Sequence, residues 1–387
     1  MAHFKTKLTE MCGIEHPIIQ GGMHYVGYAE MAAAVSNAGG LGIITSLTVA
    51  QPPRGAEALR DEIRKCKALT NKPFGVNVTL LPVGVPPDYS GIVKVIIEEG
   101  VRFVETAGRV PPPELLAVSE REDSHSRQNR SYITYIFLLS SSFCSLSFFN
   151  LFQCQPMKEA GIKIIHKCVA IRHALSAARR GADMISMDGF DCGGHPGEED
   201  VGNWVLLAKA GRVLKEAGIP FVASGGCANG KQLAAAIAMG AEGMNMGTAF
   251  MATLEAPIHQ NIKQALVDAN ETDTTHIFRS VGNTERVFKN PQAMKVREIE
   301  AEHPGDFGKI VHLVKGELYR KSFQESGDIN SSVWSCGQSI GLIDEVLSCK
   351  DLIQNIVNEA AGIIQHRLQS VVVSAPSITA NYASSKL

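Results

Sequence analysis

The sequence predicts a (β/α)₈ barrel, the fold in which eight parallel strands alternate with helices. Short apolar runs alternate with helical patterns eight times before residue 250, and about 250 residues is the usual length of such a barrel. Several of these runs end in glycine or a polar residue, where strands lead into the loops that carry function. An open, doubly wound sheet is the alternative, but eight units in succession favour closure.

The predicted strands are short runs rich in β-branched and other apolar residues. They cover residues 17–23, 41–46, 74–80, 102–106, 163–168, 183–188, 220–223 and 243–246. The helical patterns between them cover residues 28–37, 56–69, 92–99, 171–180, 204–216 and 231–239. Residues 56–69 illustrate the pattern, because their apolar side chains recur on one face of a helix.

The regular alternation stops after the eighth predicted strand. Residues 256–269, 291–300 and 307–317 have helical patterns, residues 334–340 are turn-like, and residues 343–366 predict one or two further helices. We therefore divide the chain into four parts. They are a barrel (1–250), a small, mostly helical cap that contacts substrate (251–333), C-terminal helices that close the barrel (334–370) and a flexible tail (371–387).

Residues 118–155 interrupt the pattern between the fourth and fifth strands. A charged stretch typical of disorder precedes an apolar, aromatic run over residues 132–152. Our hypothesis is a translated intron. Val-Ser-Glu can be encoded by the bases that commonly begin an intron, and the Phe-, Leu- and Ser-rich run by the pyrimidine-rich stretch before a 3′ splice site. Joining Ala117 to Pro156 restores an ordinary helical pattern. A family-specific insertion is the first alternative, and a membrane span, for which the run is long enough, is the second.

The composition excludes several classes of protein. The formal net charge of -2 gives no electrostatic reason to expect nucleic acid or an anionic membrane as a partner. Nine cysteines without a C-x-x-C pair predict reduced thiols, and the absence of a histidine or cysteine cluster predicts no metal. No early G-x-G-x-x-G follows a strand, which argues against a separate nicotinamide-binding domain.

The two chain ends bear on location. The first ten residues lack the apolar segment of a secretory signal. The chain ends in Ser385-Lys386-Leu387, the peroxisomal targeting signal, after a tail of small and polar residues. We predict import into the peroxisome and otherwise a cytoplasmic location.

Two glycine-containing strand ends predict a phosphate site. Barrels of this type often hold phosphate after strands seven and eight, and those strands end here in Ser224-Gly225-Gly226 and Asn245-Met246-Gly247-Thr248. Glycine lets backbone N–H groups approach a phosphate, and a following helix adds its positive end. A glycine in either loop alone could simply close a tight turn. Two such loops at these two strand ends indicate a phosphate-binding site.

Polar residues at other strand ends predict a reactive site at the same rim. His195 follows Cys192-Gly193-Gly194 on a loop, where no core packing requires a histidine, so we predict a catalytic role. Lys167 ends strand five and could place a cation beside an electron-rich ring. Asn77 lies inside strand three, where a buried polar side chain needs a partner.

These segments together resemble the nitronate monooxygenase family, also called 2-nitropropane dioxygenases. The resemblance rests on PIIQGGM (17–23), FGVNV (74–78), CGGHPG (192–197), ASGG (223–226) and NMGT (245–248), and it covers residues 8–117 and 156–365. The family often has Gln in place of Asp188 and of Asn245, and Glu-Ala in place of Asp191-Cys192.

The resemblance implies FMN at the barrel mouth, with its phosphate on the last two strands. The residues it assigns to the cofactor, together with neighbours at the same strand ends, are Gly22, Met23, Asn77, Lys167, Asp188, Gly193, Gly194, Ser224, Gly225, Gly226, Asn245, Met246, Gly247 and Thr248. It assigns to His195 the removal of the α-proton of a nitroalkane.

We therefore expect an FMN-dependent oxidase that converts nitronates or nitroalkanes with O₂ to a carbonyl compound and nitrite. The first alternative is a flavin-dependent enoyl-thioester reductase that uses NAD(P)H. The second is a barrel that binds FMN or a phosphorylated metabolite without turnover. The expected partners are a small-molecule substrate, O₂ and the peroxisomal import receptor, and a homodimer is one expectation for the oligomeric state.

Overall fold

The computed structural model describes residues 3–80, 87–108 and 155–372. Its main element is a sheet of eight parallel strands in the order β1-β8-β7-β6-β5-β4-β3-β2. The strands are β1 (Ile18–Gln20), β2 (Gly42–Thr45), β3 (Phe74–Leu80), β4 (Phe103–Gly108), β5 (Lys163–Cys168), β6 (Met184–Asp188), β7 (Phe221–Ser224) and β8 (Met244–Met246).

A parallel bridge between Ile19 and Leu41 joins the two ends of this sheet. The Leu41 amide donates to the Ile18 carbonyl at 2.9 Å, and the Gln20 amide donates to the Leu41 carbonyl at 3.0 Å. The strands therefore form a closed ring, and the predicted (β/α)₈ barrel is confirmed.

Helices surround this ring, and those that follow the barrel strands bury an apolar face. In the helix over residues 56–69, Leu59, Ile63 and Cys66 recur at helical spacing and are buried. The helices are α1 (Lys7–Cys12), α2 (Ala29–Asn37), α3 (Ser46–Val49), α4 (Ala56–Leu69), α5 (Tyr89–Glu98), α6 (Gln155–Glu159), α7 (Ile171–Arg179), α8 (Asn203–Glu216), α9 (Gly230–Ala238), α10 (Thr248–Met251), α11 (Gln260–Asp268), α12 (Pro291–Glu302), α13 (Gly316–Arg320), α14 (Cys349–Gly362) and α15 (Leu368–Ser370).

The barrel interior is apolar on the side of the strand N-termini. Ile19, Ile43, Phe103 and Ile165 share one buried cluster there, which Leu8 of α1 joins. This apolar cluster fills the N-terminal side of the barrel, and polar side chains occupy the C-terminal side.

The segment after β8 contains an antiparallel hairpin that the sequence analysis did not predict. Its strands are β9 (Thr274–Ile277) and β10 (Glu285–Phe288), with Glu285 opposite Ile277. Four-residue strands give too little alternation to be recognised, and the burial of this hairpin comes from partners distant in sequence. The helix predicted over residues 307–317 is also wrong: two 3₁₀ turns, Phe307–Lys309 and Val311–Leu313, precede α13, and Gly308 disfavours a continuous helix.

The proposed intron lies outside the described residues except for Gln155. The strands on either side of it, β4 and β5, are direct neighbours, with Phe103 opposite Lys163. Met157 of α6 is buried against Val104 and Ile164. None of the described helices is long and apolar enough to cross a membrane, whereas residues 132–152 and the targeting tripeptide fall outside the described ranges.

Candidate active site at the barrel mouth

A cavity of about 410 Å³ lies at the C-terminal ends of the strands. Small-molecule sites commonly enclose about 300–1,000 Å³, so its size suits a ligand such as a nucleotide-like cofactor. Its wall contains His195 and every residue assigned above to the cofactor: Gly22, Met23, Asn77, Lys167, Asp188, Gly193, Gly194, Ser224, Gly225, Gly226, Asn245, Met246, Gly247 and Thr248. The structure thus brings the predicted site residues together in one place.

The loop after β7 is shaped by consecutive glycines. Gly225 and Gly226 have φ values of 82° and 67°, in the left-handed region that other residues rarely adopt. A Cβ atom on Gly225 would lie 2.9 Å from the Gly189 carbonyl oxygen. The neighbouring Thr248 hydroxyl accepts a hydrogen bond from the Gly337 amide at 2.8 Å, which fixes the loop after β8. This pair of loops can present backbone N–H groups to a phosphate.

The loop after β1 forms the floor of the cavity. A Cβ atom on Gly22 would lie 2.3–2.6 Å from side-chain atoms of Asn77, so only glycine fits. The Gly22 amide donates to Glu105 Oε2 at 2.8 Å, and the Met23 amide donates to Thr45 Oγ1 at 2.9 Å. The backbone of Gly22 and Met23 is therefore held against the barrel by hydrogen bonds to side chains of β4 and β2.

Glu105 of β4 is the central residue that sequence reasoning missed. Its side chain is fully buried and accepts hydrogen bonds from Asn77 Nδ2 and Asn245 Nδ2, each at 2.7 Å. The signal was present, because a carboxylate inside a buried strand must be paired or hydrogen-bonded. The same argument that marks Asn77 in β3 therefore also applies to Glu105 in β4.

Lys167 lies between two carboxylates. Its Nζ atom is 3.9 Å from Glu105 Oε1 and 3.7 Å from Asp188 Oδ2. Burial alone would lower the pKa of Lys167, but the carboxylates of Asp188 and Glu105 outweigh it and raise this pKa above its usual value. Burial also raises the pKa of Asp188, and the Lys167 ammonium opposes that rise. Lys167 therefore supplies a permanent cation at the cavity wall.

His195 lies exposed at the rim, held by the hairpin rather than by the barrel. The Gly194 amide donates to the Arg286 carbonyl at 3.1 Å, and the Arg286 amide donates to the Gly194 carbonyl at 2.6 Å. His195 Nε2 lies 3.2 Å from the side-chain nitrogen of Asn283, in the loop between β9 and β10. An imidazole in this position can exchange protons with a molecule in the cavity.

A second, larger cavity adjoins the first. Its volume is about 850 Å³, and it shares Asn77, Lys167, Asp188 and His195 with the first cavity. It extends from His195 towards Arg172 and His173 at the start of α7. His195 and Lys167 therefore lie on the wall that the two cavities share.

The residues present fit a flavin mononucleotide. Asn245 Oδ1 is a buried acceptor without a hydrogen-bond partner, as expected where a ligand N–H completes the site. The glycine loops after β7 and β8 suit the phosphate, and the close-lying backbone at Gly22 leaves room for a flat ring. The described residues contain no group of histidine, cysteine or carboxylate side chains arranged to hold a metal ion.

Comparison with known proteins shows which family has this barrel and this cavity. The chain belongs to the nitronate monooxygenase family, whose family model matches residues 5–359. Members of this family are flavin-dependent oxidoreductases, and this protein is therefore an enzyme of that class. This membership argues against a barrel that binds its ligand without turnover.

Individual relatives cover nearly the whole chain. A Staphylococcus aureus protein named "Probable nitronate monooxygenase" is 28% identical and aligns with 94% of this chain and 99% of its own length. A Mycobacterium tuberculosis protein named "(3aS,4S,5R,7aS)-5-hydroxy-7a-methyl-1-oxo-octahydro-1H-indene-4-carboxyl-CoA dehydrogenase" is 29% identical over 93% of this chain and 97% of its own length. The relatives thus carry names for more than one substrate.

Solved structures agree with the fold. FabK from Thermotoga maritima is similar, with a TM-score of 0.77, 32% identity, and coverage of 95% of this chain and 100% of its own. Nitroalkane oxidase from Streptomyces ansochromogenes has a TM-score of 0.69 and 23% identity, covers 92% of this chain and 99% of its own, and supports the fold alone.

The floor of the cavity can be tested by Gly22→Ala. The new methyl group would collide with Asn77, and lifting the loop to relieve the collision should fill the space for the flavin ring. We expect the purified variant to lose most of its flavin, measured as visible absorbance per folded protein, and to have a lower Tm, because lifting the loop also breaks the hydrogen bond from the Gly22 amide to Glu105.

Gly362→Ala is the matched control. A Cβ atom on Gly362 meets nothing within 4 Å and its φ lies in the helical region, so this variant should keep its flavin. Full flavin content in Gly22→Ala would show that the loop after β1 does not support the cofactor.

Proposed function

We propose that the protein binds FMN and oxidises nitronates or nitroalkanes with O₂, giving a carbonyl compound and nitrite. The observation that carries this proposal is the position of the His195 imidazole, exposed at the rim of a cavity whose wall also contains the Lys167 cation. A proton acceptor and a fixed cation suit a substrate that loses a proton and becomes an anion.

The chain offers distinct contacts for each part of FMN. Gly225, Gly226, Gly247 and Thr248 would hold the phosphate, and the backbone at Gly22 and Met23 would support the ring. When bound, FMN supplies the chemistry of accepting an electron pair from the substrate and passing it to O₂.

His195 would take the α-proton of a neutral nitroalkane, leaving the nitronate anion in the cavity. Its neighbour Asn283 would fix the orientation of the imidazole once its amide is rotated to accept from His195 Nε2–H, which leaves the lone pair on Nδ1 to take the proton. Lys167, whose charge is maintained by two carboxylates, would stabilise negative charge that develops on bound groups. A positioned general base typically contributes about 10²–10⁴-fold to the rate.

A second candidate is the oxidation or reduction of an acyl thioester. The adjoining cavity of about 850 Å³ is larger than a small nitroalkane needs, and it reaches from His195 to Arg172 and His173. The relative named as a carboxyl-CoA dehydrogenase supports a substrate of this size. In this alternative His195 would act on an acyl group instead of a nitroalkane.

Anaerobic absorbance spectra separate the two candidates. We expect the purified protein to show oxidised-flavin absorbance that a nitronate bleaches without air and that O₂ restores. Rapid bleaching by NAD(P)H, with no response to a nitronate, would instead favour a thioester reductase.

His195→Asn tests the role of the imidazole. Asn has similar polarity but cannot accept the proton, so activity on a neutral nitroalkane should fall about 10²–10⁴-fold. Activity on the corresponding nitronate, which has already lost its proton, should fall far less, with FMN still bound. Steady-state rates on both forms, measured at equal flavin content, give the comparison.

His366→Asn, at an exposed helix end that lines neither cavity, serves as the control and should behave as the wild type. Equal losses on both substrate forms in His195→Asn would show that His195 binds or orients the substrate. Loss of the flavin would show that the residue mainly maintains the site.

The terminal Ser385-Lys386-Leu387 supports a proposal that the peroxisomal import receptor is a partner. A fluorescent protein fused to the N-terminus should enter peroxisomes, and the fusion without these three residues should remain in the cytosol. Cytosolic fluorescence from the intact chain would contradict this proposal.

A further inference from the structure

The floor of the cavity contains a buried group of three ionisable side chains. Glu105 and Asp188 are carboxylates and Lys167 is the cation beside them, at 3.9 Å from Glu105 and 3.7 Å from Asp188. Glu105 is 1% exposed and Asp188 is 9% exposed, so water screens these charges weakly. The proposed reaction gives Lys167 a role but none to Glu105, although its carboxylate lies 3.9 Å from the Lys167 ammonium.

The carboxylate of Glu105 also connects the residues that support the cofactor site. It accepts hydrogen bonds from the Gly22 amide, Asn77 and Asn245, at 2.7–2.8 Å. All three donors line the cavity, so the carboxylate lies directly behind its wall.

We propose that Glu105 is a positioning residue that holds the floor of the flavin site and lowers the reduction potential of the bound flavin. This inference rests on the FMN binding proposed above. A flavin gains negative charge on reduction, and a fixed buried anion behind the wall makes that gain less favourable. The same anion favours return of the electrons to O₂, which an oxidase requires.

Glu105→Gln is the informative substitution because it removes the charge and keeps the shape. The Gln carbonyl oxygen can still accept from Gly22 and Asn77. Its new N–H₂ group replaces the oxygen that accepts from Asn245 Nδ2, so that hydrogen bond is lost. Asn245 Nδ2 keeps Ser186 Oγ as an acceptor at 3.1 Å, and Asn245 Oδ1 stays available to the ligand. We therefore expect this variant to fold.

The experiment measures the midpoint potential of bound flavin by anaerobic titration against reference dyes, and the FMN dissociation constant by fluorescence. Glu105→Gln should raise the midpoint potential and weaken FMN binding about tenfold, the lower end of the roughly 10–100-fold loss of affinity at metal sites whose ligands lose their orienting hydrogen bonds. Lys167→Gln removes a positive charge from the same group and should lower the potential. A merely structural role would not move the two potentials in opposite directions.

Glu99→Gln is the matched control. Glu99 is also a buried carboxylate, but it pairs with Arg60, Arg64 and Lys67 on the outside of the barrel. Its loss should lower Tm and leave both flavin measurements unchanged.

An unchanged potential in Glu105→Gln would overturn the inference, as would an equal shift in Glu99→Gln. No substrate is present in these titrations, so the result does not depend on whether nitronates or thioesters react. A wild-type protein that takes up no FMN would overturn the cofactor proposal and this inference with it.

Discussion

The buried carboxylate of Glu105 links parts of the barrel mouth that lie far apart in the sequence. It accepts from the loop after β1, from β3 and from β8, and it faces Lys167 of β5. Removing one partner from a buried charged pair commonly costs about 3–5 kcal/mol, and total stability of a domain is about 5–15 kcal/mol. The donors around Glu105 are therefore constrained together, and with them the cavity floor.

The small residues of the floor follow from this arrangement. Asn77 and Asn245 donate to Glu105 from inside the barrel. Their side chains lie directly against Gly22 and Gly21, respectively. A Cβ atom on Gly21 would lie 2.5 Å from Asn245 Oδ1, just as one on Gly22 would meet Asn77. The glycines after β1 are thus required by the polar layer below, as well as by any ligand above.

Most of the barrel could be predicted from the sequence because each β/α unit has a local signal. Strands β3 and β5 have the predicted bounds, and α4 and α12 begin where an apolar face or a proline starts the helix. The hairpin could not be predicted, because β10 gains its partners from Gly194 and Ser335, far away in sequence. Asn283 was missed for the same reason, since only the folded chain brings it beside His195, whereas Glu105 could have been recognised as a carboxylate inside a predicted buried strand.

The barrel and the segment after it make separate contributions to the site. The floor of the cavity depends on strand ends and on Glu105, whereas His195 is positioned through Gly194 by β10. Arg286 secures this contact, because its buried guanidinium donates to the Phe190 carbonyl at 2.9 Å and to Thr274 Oγ1 at 2.8 Å. A change in the hairpin can therefore move Gly194 and His195 and reshape the adjoining cavity, whereas the donors to Glu105 lie on β3, β8 and the loop after β1. This separation gives a physical reason why one barrel can serve relatives named for a nitronate and for a CoA ester.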